Sequence, residues 1–144
     1  MITSMTLEIM EMCAADYDQV VQLWQRSENL GEAETREEFV SFLDRNPGIS
    51  TIAREGEQIV GAAFCGHDGR RGYLYHLAVA HSHRNIGVGR AVVARCLDQL
   101  DTLGIPRCSI HVYSNNEDGE VFWRRAGWRL RTDLKVMAKD LNVH

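Results

Sequence analysis

The sequence has few prolines, no long hydrophobic run and no basic N-terminal region. Only 2 of its 144 residues are proline, and no repeat, low-complexity tract or linker is present. No apolar run reaches the roughly 18 residues that a membrane-spanning helix needs. The first residues, MITSMTLEIMEM, lack the charged and apolar regions of a secretion signal. We therefore expect a cytoplasmic protein with no membrane as a partner.

The charge balance and the cysteines exclude further classes of protein. Lys and Arg number 16 against 20 Asp and Glu, which gives a formal net charge of −4. This balance disfavours nucleic acid as a partner, because phosphate backbones bind to basic faces. The 4 cysteines form no CxxC pair, so we expect buried free thiols in a reducing compartment. His81 and His83 lack a third ligand, so we interpret them as loop residues and expect no metal.

What is present is a succession of alternating and amphipathic segments that suits one domain, residues 1–144. Periodicity predicts strands at 6–12, 49–54, 59–67, 73–80, 107–113, 128–132 and 134–140, and helices at 15–24, 34–43, 87–103 and 116–126. The order β-α-α-β-β-β-α-β-α-β-β predicts an α/β fold of the α+β kind, with a central mixed sheet flanked by helices. The strands over 73–80 and 107–113 should be parallel neighbours.

Two glycines, Gly87 and Gly89, stand where a polar loop turns into the helix over 87–103. Glycine is a weaker helix former than alanine by about 1 kcal/mol, so this position indicates that a ligand approaches the backbone. Unpaired N–H groups at a helix start bind anions, and Arg84 and Arg90 can pair with a phosphate. The pattern therefore indicates a nucleotide-like cofactor, although tight packing also explains a Gly-x-Gly. A dinucleotide-binding oxidoreductase is disfavoured because the third glycine is missing.

Three motifs at matching spacing resemble the GNAT N-acetyltransferases, and the resemblance covers nearly the whole chain. Arg84 to Gly89 is similar to the acyl-CoA signature Arg/Gln-x-x-Gly-x-Gly/Ala of that family. The run from Tyr75 to Val79 looks like the strand that precedes this signature, and Asn116 followed by residues 122–128 looks like the second family motif. The chain is most similar to small stand-alone bacterial members.

The resemblance implies acetyl-CoA as the cosubstrate and a position for each of its parts. Backbone groups of Leu77 and Val79 would pair with the pantetheine arm, and Asn116 would hydrogen-bond beside it. The strands over 73–80 and 107–113 would part at their C-terminal ends to admit the thioester. The pyrophosphate would lie on the N–H groups of Asn85, Ile86, Gly87, Val88, Gly89 and Arg90.

The transfer needs a base for the amine and donors for the carbonyl oxygen as it becomes negative. His111 is the first candidate for the base and His76 the second, because an imidazole accepts protons near neutral pH. Each of these histidines is also explained as a structural residue. In the resembling family a backbone N–H, here near Leu77 or Ala78, contacts the carbonyl oxygen.

The departing thiolate needs a proton, which the family usually takes from a tyrosine. Trp123 stands at that position here, and indole is not an acid at neutral pH. Tyr113 is a substitute acid, although a half-buried strand residue explains it as well. The missing tyrosine also leaves an alternative function open: an acyl-CoA-binding sensor or regulatory protein with little catalysis.

The expected acceptor is a primary amine, on a small molecule or a peptide, that attacks the thioester directly. The segment 27–38 contains five carboxylates, which attract a cationic amine. A solvated helix face and N-terminal capping explain these carboxylates equally well. Since similar proteins are often dimers, a homodimer is compatible with this interpretation.

Overall fold

The computed structural model describes residues 6–27 and 33–141, and it confirms the mixed α/β fold. The described residues divide into two compact units, with the boundary after His111. That the whole chain is one domain stays a prediction. The elements are β1 (Leu7–Glu11), α1 (Tyr17–Gln25), α2 (Arg36–Arg45), β2 (Thr51–Glu55), β3 (Gln58–His67), β4 (Gly72–Val79), α3 (Val88–Thr102), β5 (Cys108–Ile110) and, in the second unit, α4 (Glu117–Arg125).

The strands of the first unit form one sheet in the order in which they follow along the chain. The pairs from β1 to β4 are antiparallel, whereas β5 lies parallel to β4. Parallel neighbours need a long connection between them, and α3 provides it. The predicted parallel pairing around the glycine-containing helix is therefore confirmed.

Helices cover both faces of the sheet. Alternate residues of β3 point to opposite faces, so their neighbours show which helix lies on each face. Phe64 of β3 belongs to a buried core with Trp24 of α1 and Phe39 of α2. On the opposite face, a Cβ added to Gly61 would lie 2.8 Å from Cγ1 of Val88 in α3. The sheet thus carries α1 and α2 on one face and α3 on the other.

The helix ends follow capping signals that are visible in the sequence. The backbone N–H of Glu38 donates to Oγ1 of Thr35 at 3.1 Å, and the N–H of Thr35 donates to the Glu38 carboxylate at 2.9 Å. This reciprocal pair is a capping box, and it sets the start of α2. After α3, Gly104 has a φ of +79°, which is the left-handed conformation that ends many helices.

The prediction of strands after α4 is wrong. Residues 128–132 and 134–140 form no strand in the described part of the second unit, and Leu134, Val136 and Met137 are 60%, 72% and 93% exposed. An alternating sequence becomes a strand only when a neighbour takes its hydrogen bonds, and the described residues 112–141 contain no such neighbour. The strand predicted over 107–113 is likewise shortened, since its pairing with β4 ends at Ile110.

One of the cysteines differs from the expectation of buried thiols. Cys65 and Cys96 are buried and Cys108 is half-buried, but Cys13 is exposed. Cys13 precedes a short 3-10 turn, where its backbone N–H donates to the carboxylate of Asp16 at 2.9 Å. Its position is therefore set by this turn and not by the core.

Replacement of Gly61 by alanine should destabilise the protein, because the new methyl group would overlap with Val88. The added Cβ would also lie 3.4 Å from Cβ of Ala53, so there is little room to shift. Overpacking of this kind costs roughly 1–3 kcal/mol of unfolding free energy, which urea denaturation measures. The same change should cost less in a Val88→Ala background, where the blocking methyl is absent. An equal cost in both backgrounds would contradict the close packing of α3 on β3.

Candidate active site

β4 leaves its neighbour β5 after three residues. Gly72, Tyr73 and Leu74 pair with β5, whereas β4 itself continues to Val79. From Tyr75 onward, this edge of β4 has no strand partner among the described residues. The unpaired backbone groups of a strand edge can bind an extended ligand as an added strand does. The parting of the two strands that the sequence analysis expects is thus visible in their pairing.

One hydrogen bond shows which backbone groups face the open edge. Ala80 donates its N–H to a carbonyl of β3 at 2.8 Å, so alternation turns Ala78 toward β3, and Leu77 and Val79 away from it. The carbonyl of Val79 accepts a hydrogen bond from Nε of Arg84 at 3.1 Å, which agrees with an outward direction. Leu77 and Val79 therefore present their backbone groups at the open edge. This direction favours Leu77 over Ala78 as a donor to a ligand oxygen.

The middle of β4 contains a backbone irregularity at His76. Its φ is +57°, a conformation that is costly for a residue with a side chain, by about 1–3 kcal/mol. The register between β3 and β4 shifts nearby, between Ala62 and Phe64. Such bulges bend a strand and redirect a side chain, and this one directly follows the end of the pairing with β5.

The loop between β4 and α3 has left-handed backbone at two residues, Asn85 with a φ of +64° and Gly87 with a φ of +93°. Nothing lies within 4 Å of the place that a Cβ of Gly87 would take. Turns of this kind direct successive N–H groups into a concave anion site. The space above Gly87 leaves the backbone open to a ligand. Ile86, between these two residues, is 53% exposed.

The N-terminus of α3 offers further donors. Gly87 occupies the N-cap position, and no side chain caps the helix. The N–H of Ala91 donates to the carbonyl of Gly87 at 3.0 Å, so the N–H groups over 88–90 precede the regular helical hydrogen bonds. The helix dipole adds partial positive charge there. The side chains of Arg84 and Arg90 are exposed beside this turn.

The two glycines of the loop serve different purposes. Gly87 adopts a left-handed backbone, and the space where a side chain would be is empty. A ligand could therefore approach the backbone there. Gly89 is buried in the first turn of α3, next to the buried Val88. Tight packing therefore explains the second glycine, whereas the first fits an anion site.

His83 is not the simple loop residue that the sequence analysis expects. It is 9% exposed, with Nε2 3.1 Å from the carboxylate of Glu55 in β2 and Nδ1 2.7 Å from Oγ of Ser82. These contacts attach the 3-10 turn His81–His83 to β2 and thereby position the loop that follows. Sequence reasoning missed the pair because Glu55 lies 28 positions away.

His111 and Tyr113, the predicted catalytic residues, lie on either side of the boundary between the units. His111 is exposed and directly follows β5, while Tyr113 is 57% exposed in the second unit. The strand predicted over 107–113 would have included both residues, but β5 ends at Ile110. Their roles in catalysis stay predictions.

Asn116 and Trp123 both have structural tasks within the second unit. Oδ1 of Asn116 accepts a hydrogen bond from the backbone N–H of Gly119 at 3.0 Å and so caps α4. Trp123 is 7% exposed, and its ring lies 5.0 Å from that of Phe122 and 4.8 Å from that of Trp128 between centroids. Their contacts with a cofactor stay predictions.

No group of three His, Cys, Asp or Glu side chains within residues 6–27 and 33–141 is arranged to hold a metal ion. Across the same residues, no helix is both long enough and apolar enough to span a bilayer.

Replacement of His83 by alanine should weaken CoA binding, because the turn before the loop over 84–87 would lose its attachment to β2. Removing one partner of a buried hydrogen bond costs about 1–3 kcal/mol, which corresponds to a roughly 5- to 150-fold rise in Kd if the loss is expressed in binding. Isothermal titration calorimetry with CoA measures this change. His81→Ala is the matched control, since His81 is exposed, and it should bind CoA as the wild type does. Unchanged affinity in His83→Ala would contradict the positioning role.

Known proteins of similar sequence agree with this geometry. Residues 17–128 match the model of the Acetyltransferase (GNAT) family. A curated acetyltransferase of Sodalis glossinidius (strain morsitans) is 24% identical over 127 residues, which make up 88% of this chain and 89% of the relative.

Solved structures show the same fold at lower sequence identity. Ard1 from Thermoplasma volcanium superposes with a TM-score of 0.79 at 19% identity, over 88% of this chain and 84% of that one. The PaiA N-acetyltransferase from Thermoplasma acidophilum, solved in complex with coenzyme A, has a TM-score of 0.77 at 14% identity, over 88% and 92%. The open strand edge, the left-handed turn before α3 and the match over most of the chain lead to one conclusion. The protein belongs to the GNAT acetyltransferase family and is an acyltransferase whose cosubstrate is acetyl-CoA.

Proposed function

We propose that this enzyme transfers the acetyl group of acetyl-CoA to a primary amine, which attacks the thioester directly. The observation that carries the proposal is the open edge of β4 beside the uncapped N-terminus of α3. A strand edge suits the amide-containing pantetheine arm, and helix N–H groups suit a pyrophosphate. An amine acceptor is supported by the PaiA neighbour, which is an N-acetyltransferase.

The contacts proposed for acetyl-CoA follow from the backbone directions. The outward groups of Leu77 and Val79 bind the pantetheine arm, with Ala78 between them, and the turn over 85–90 holds the pyrophosphate. The guanidinium of Arg84 already lies at this edge, on the carbonyl of Val79. Its exposed side chain can release that carbonyl to a ligand and pair with a phosphate instead. That Asn116 and Trp123 contact the cofactor stays a prediction from the sequence.

The groups for the chemistry include an N–H donor and a base. The N–H of Leu77 faces away from β3 and can donate to the thioester oxygen as it becomes negative. A free primary amine has a pKa near 10, so a base must remove a proton before the attack. His111 and His76 are the candidates for this base. Tyr113 is the proposed acid for the leaving thiolate.

A cationic acceptor agrees with the net charge of −4. However, some of the five carboxylates in the segment 27–38 already have hydrogen-bond partners within the protein and are less available to attract a cation. Glu38 uses its carboxylate in the capping box of α2, and that of Glu34 binds His76. Glu37 is exposed, whereas Glu28 and Glu32 lie outside the described residues. The attraction of a cation therefore rests mainly on the overall charge. A homodimer and a cytoplasmic location stay predictions from the sequence.

A second candidate function, an acyl-CoA sensor with little catalysis, is favoured by Trp123. This residue stands where the resembling family carries an acidic tyrosine, and its ring is buried between Phe122 and Trp128. Acetyl-CoA binding without transfer to any amine would support the sensor. Transfer at a substantial rate would exclude it.

The test is acetylation of a panel of polyamines, amino acids, aminoglycosides and peptide N-termini, with products identified by mass spectrometry. We expect one class of amine to be acetylated with acetyl-CoA as donor. Mass detection avoids the background that the exposed thiol of Cys13 would give with a thiol reagent. Calorimetry with acetyl-CoA on the same preparation shows that the cosubstrate site is intact. Binding without any acetylated amine would overturn the proposed function.

Replacement of Tyr113 by phenylalanine should lower kcat by roughly 100-fold or more, the usual effect of losing a general acid or base. The affinity for acetyl-CoA should stay the same, because only the phenolic O–H is removed. Steady-state kinetics with the best amine of the panel measures the change. A kcat equal to that of the wild type would show that Tyr113 does not protonate the thiolate.

A further inference from the structure

We propose that His76, oriented by Glu34, is the base that takes the proton from the attacking amine. This inference rests on the proposed function and names the residue that performs one of its steps. His76 contacts the reacting amine, whereas Glu34 acts through His76 and is a positioning residue.

The geometry of the pair determines which ring nitrogen can accept a proton. Nε2 of His76 lies 2.6 Å from Oε1 of Glu34, and the two side chains are 21% and 22% exposed. A carboxylate only accepts hydrogen bonds, so Nε2 must carry the hydrogen. The lone pair of the neutral ring therefore lies on Nδ1. Within the described residues, Nδ1 has no hydrogen-bond partner.

Glu34 is ionised near neutral pH. Burial acts to raise its pKa, but the hydrogen bond and the charge of His76 outweigh burial, and the pKa lies below its usual value. Its second oxygen, Oε2, is buried without a hydrogen-bond partner among the described residues. The negative charge is therefore directed mainly at His76, where it stabilises the imidazolium that forms when Nδ1 takes a proton.

Both members of the pair are held in place by other elements. The hydroxyl of Tyr17 donates to the backbone carbonyl of Glu34 at 3.0 Å, and Thr35, the next residue, caps α2. The His76 ring packs against Trp24 at 5.0 Å and Phe64 at 6.2 Å between centroids. Among the described residues, the titratable group in contact with His76 is Glu34, and Tyr17 lies one contact further, since the Trp24 and Phe64 rings are uncharged.

The position of His76 along β4 suits the reaction. It lies between Leu74, the last residue paired with β5, and Leu77, whose N–H faces the open edge. A proton acceptor and a donor for the carbonyl oxygen thus stand next to each other in the chain. The left-handed backbone of His76 is a local cost that functional sites often carry.

Within residues 6–27 and 33–141, the other histidines lack this combination of a carboxylate and a free nitrogen. His83 has a carboxylate partner, but Ser82 occupies its second nitrogen, as expected for a structural residue. His111 is exposed and has no carboxylate partner among the described residues. The geometry therefore favours His76 over His111 as the base.

The proposed step balances in protons. Nδ1 of His76 takes one proton from the ammonium form of the acceptor. The neutral amine then forms the new C–N bond to the acetyl carbon while the C–S bond breaks. The second proton of the former amine passes to the thiolate and gives free CoA. His76 afterwards releases its proton to the solvent.

The test compares His76→Gln, Glu34→Gln, His111→Gln and the control His81→Gln with the best amine of the panel. His76→Gln should lower kcat by about 10²- to 10⁴-fold, with an acetyl-CoA affinity within twofold of the wild type. Glu34→Gln should lower kcat by less than His76→Gln does and leave the KM for the amine and the acetyl-CoA affinity unchanged, because the amide oxygen still accepts the hydrogen bond of Nε2 but carries no charge. A purely structural role of Glu34 would weaken binding of the amine together with kcat. His81→Gln should keep the wild-type kcat, and His111→Gln should lose less activity than His76→Gln.

The outcomes separate this proposal from the proposed function. If the wild type transfers acetyl groups and His76→Gln is as active as His81→Gln, the role of His76 is wrong and amine acetylation stands. The same conclusion follows if only His111→Gln loses activity. If the wild type acetylates no amine although acetyl-CoA binds, the proposed function fails and the role of His76 fails with it. Circular dichroism and acetyl-CoA binding of each variant identify a loss that is due to misfolding.

Discussion

The three-residue pairing between β4 and β5 is the constraint on which the rest of the site depends. An interior strand normally satisfies its backbone on both sides, but beyond Leu74, within the described part of the chain, β4 pairs with another strand on one side only. The polar groups of Leu77 and Val79 are left for a ligand, for water or for the Arg84 side chain that now contacts Val79. A longer β5 pairing would stabilise the sheet and close the site.

The same strand connects the two halves of the reaction. Its open edge leads to the turn around Gly87, where the donors of α3 begin, and this is the half that we propose for the cosubstrate. Its bulge directs His76 to the face that α1 and α2 cover, where Glu34 meets it. The bend at His76 therefore places the proposed cosubstrate contact and the proposed base in adjacent residues, at the local cost of a left-handed backbone.

Two histidine–carboxylate pairs in this unit show how one arrangement serves different ends. In the pair of His83 and Glu55, both ring nitrogens have partners and the ring is buried, so the pair attaches a turn to the sheet. In the pair of His76 and Glu34, one nitrogen is left over and the ring is partly exposed. The free lone pair, and not the carboxylate contact, distinguishes a group that can exchange protons from an anchor.

The sequence by itself determined the mixed sheet, the parallel crossover through α3, the capping box at Thr35 and the importance of Gly87. These features depend on hydrophobic periodicity and on local backbone preferences. Both are set by residues that are close together in the sequence, so they can be inferred from the sequence alone. Only the tertiary structure decided that the predicted strands after α4 do not form, that Cys13 is exposed, and that His76 meets a carboxylate 42 positions away. Strand pairing and side-chain contacts of this kind join residues that are far apart in the sequence. The free energy of each contact depends on a distant partner, which a local sequence pattern does not identify.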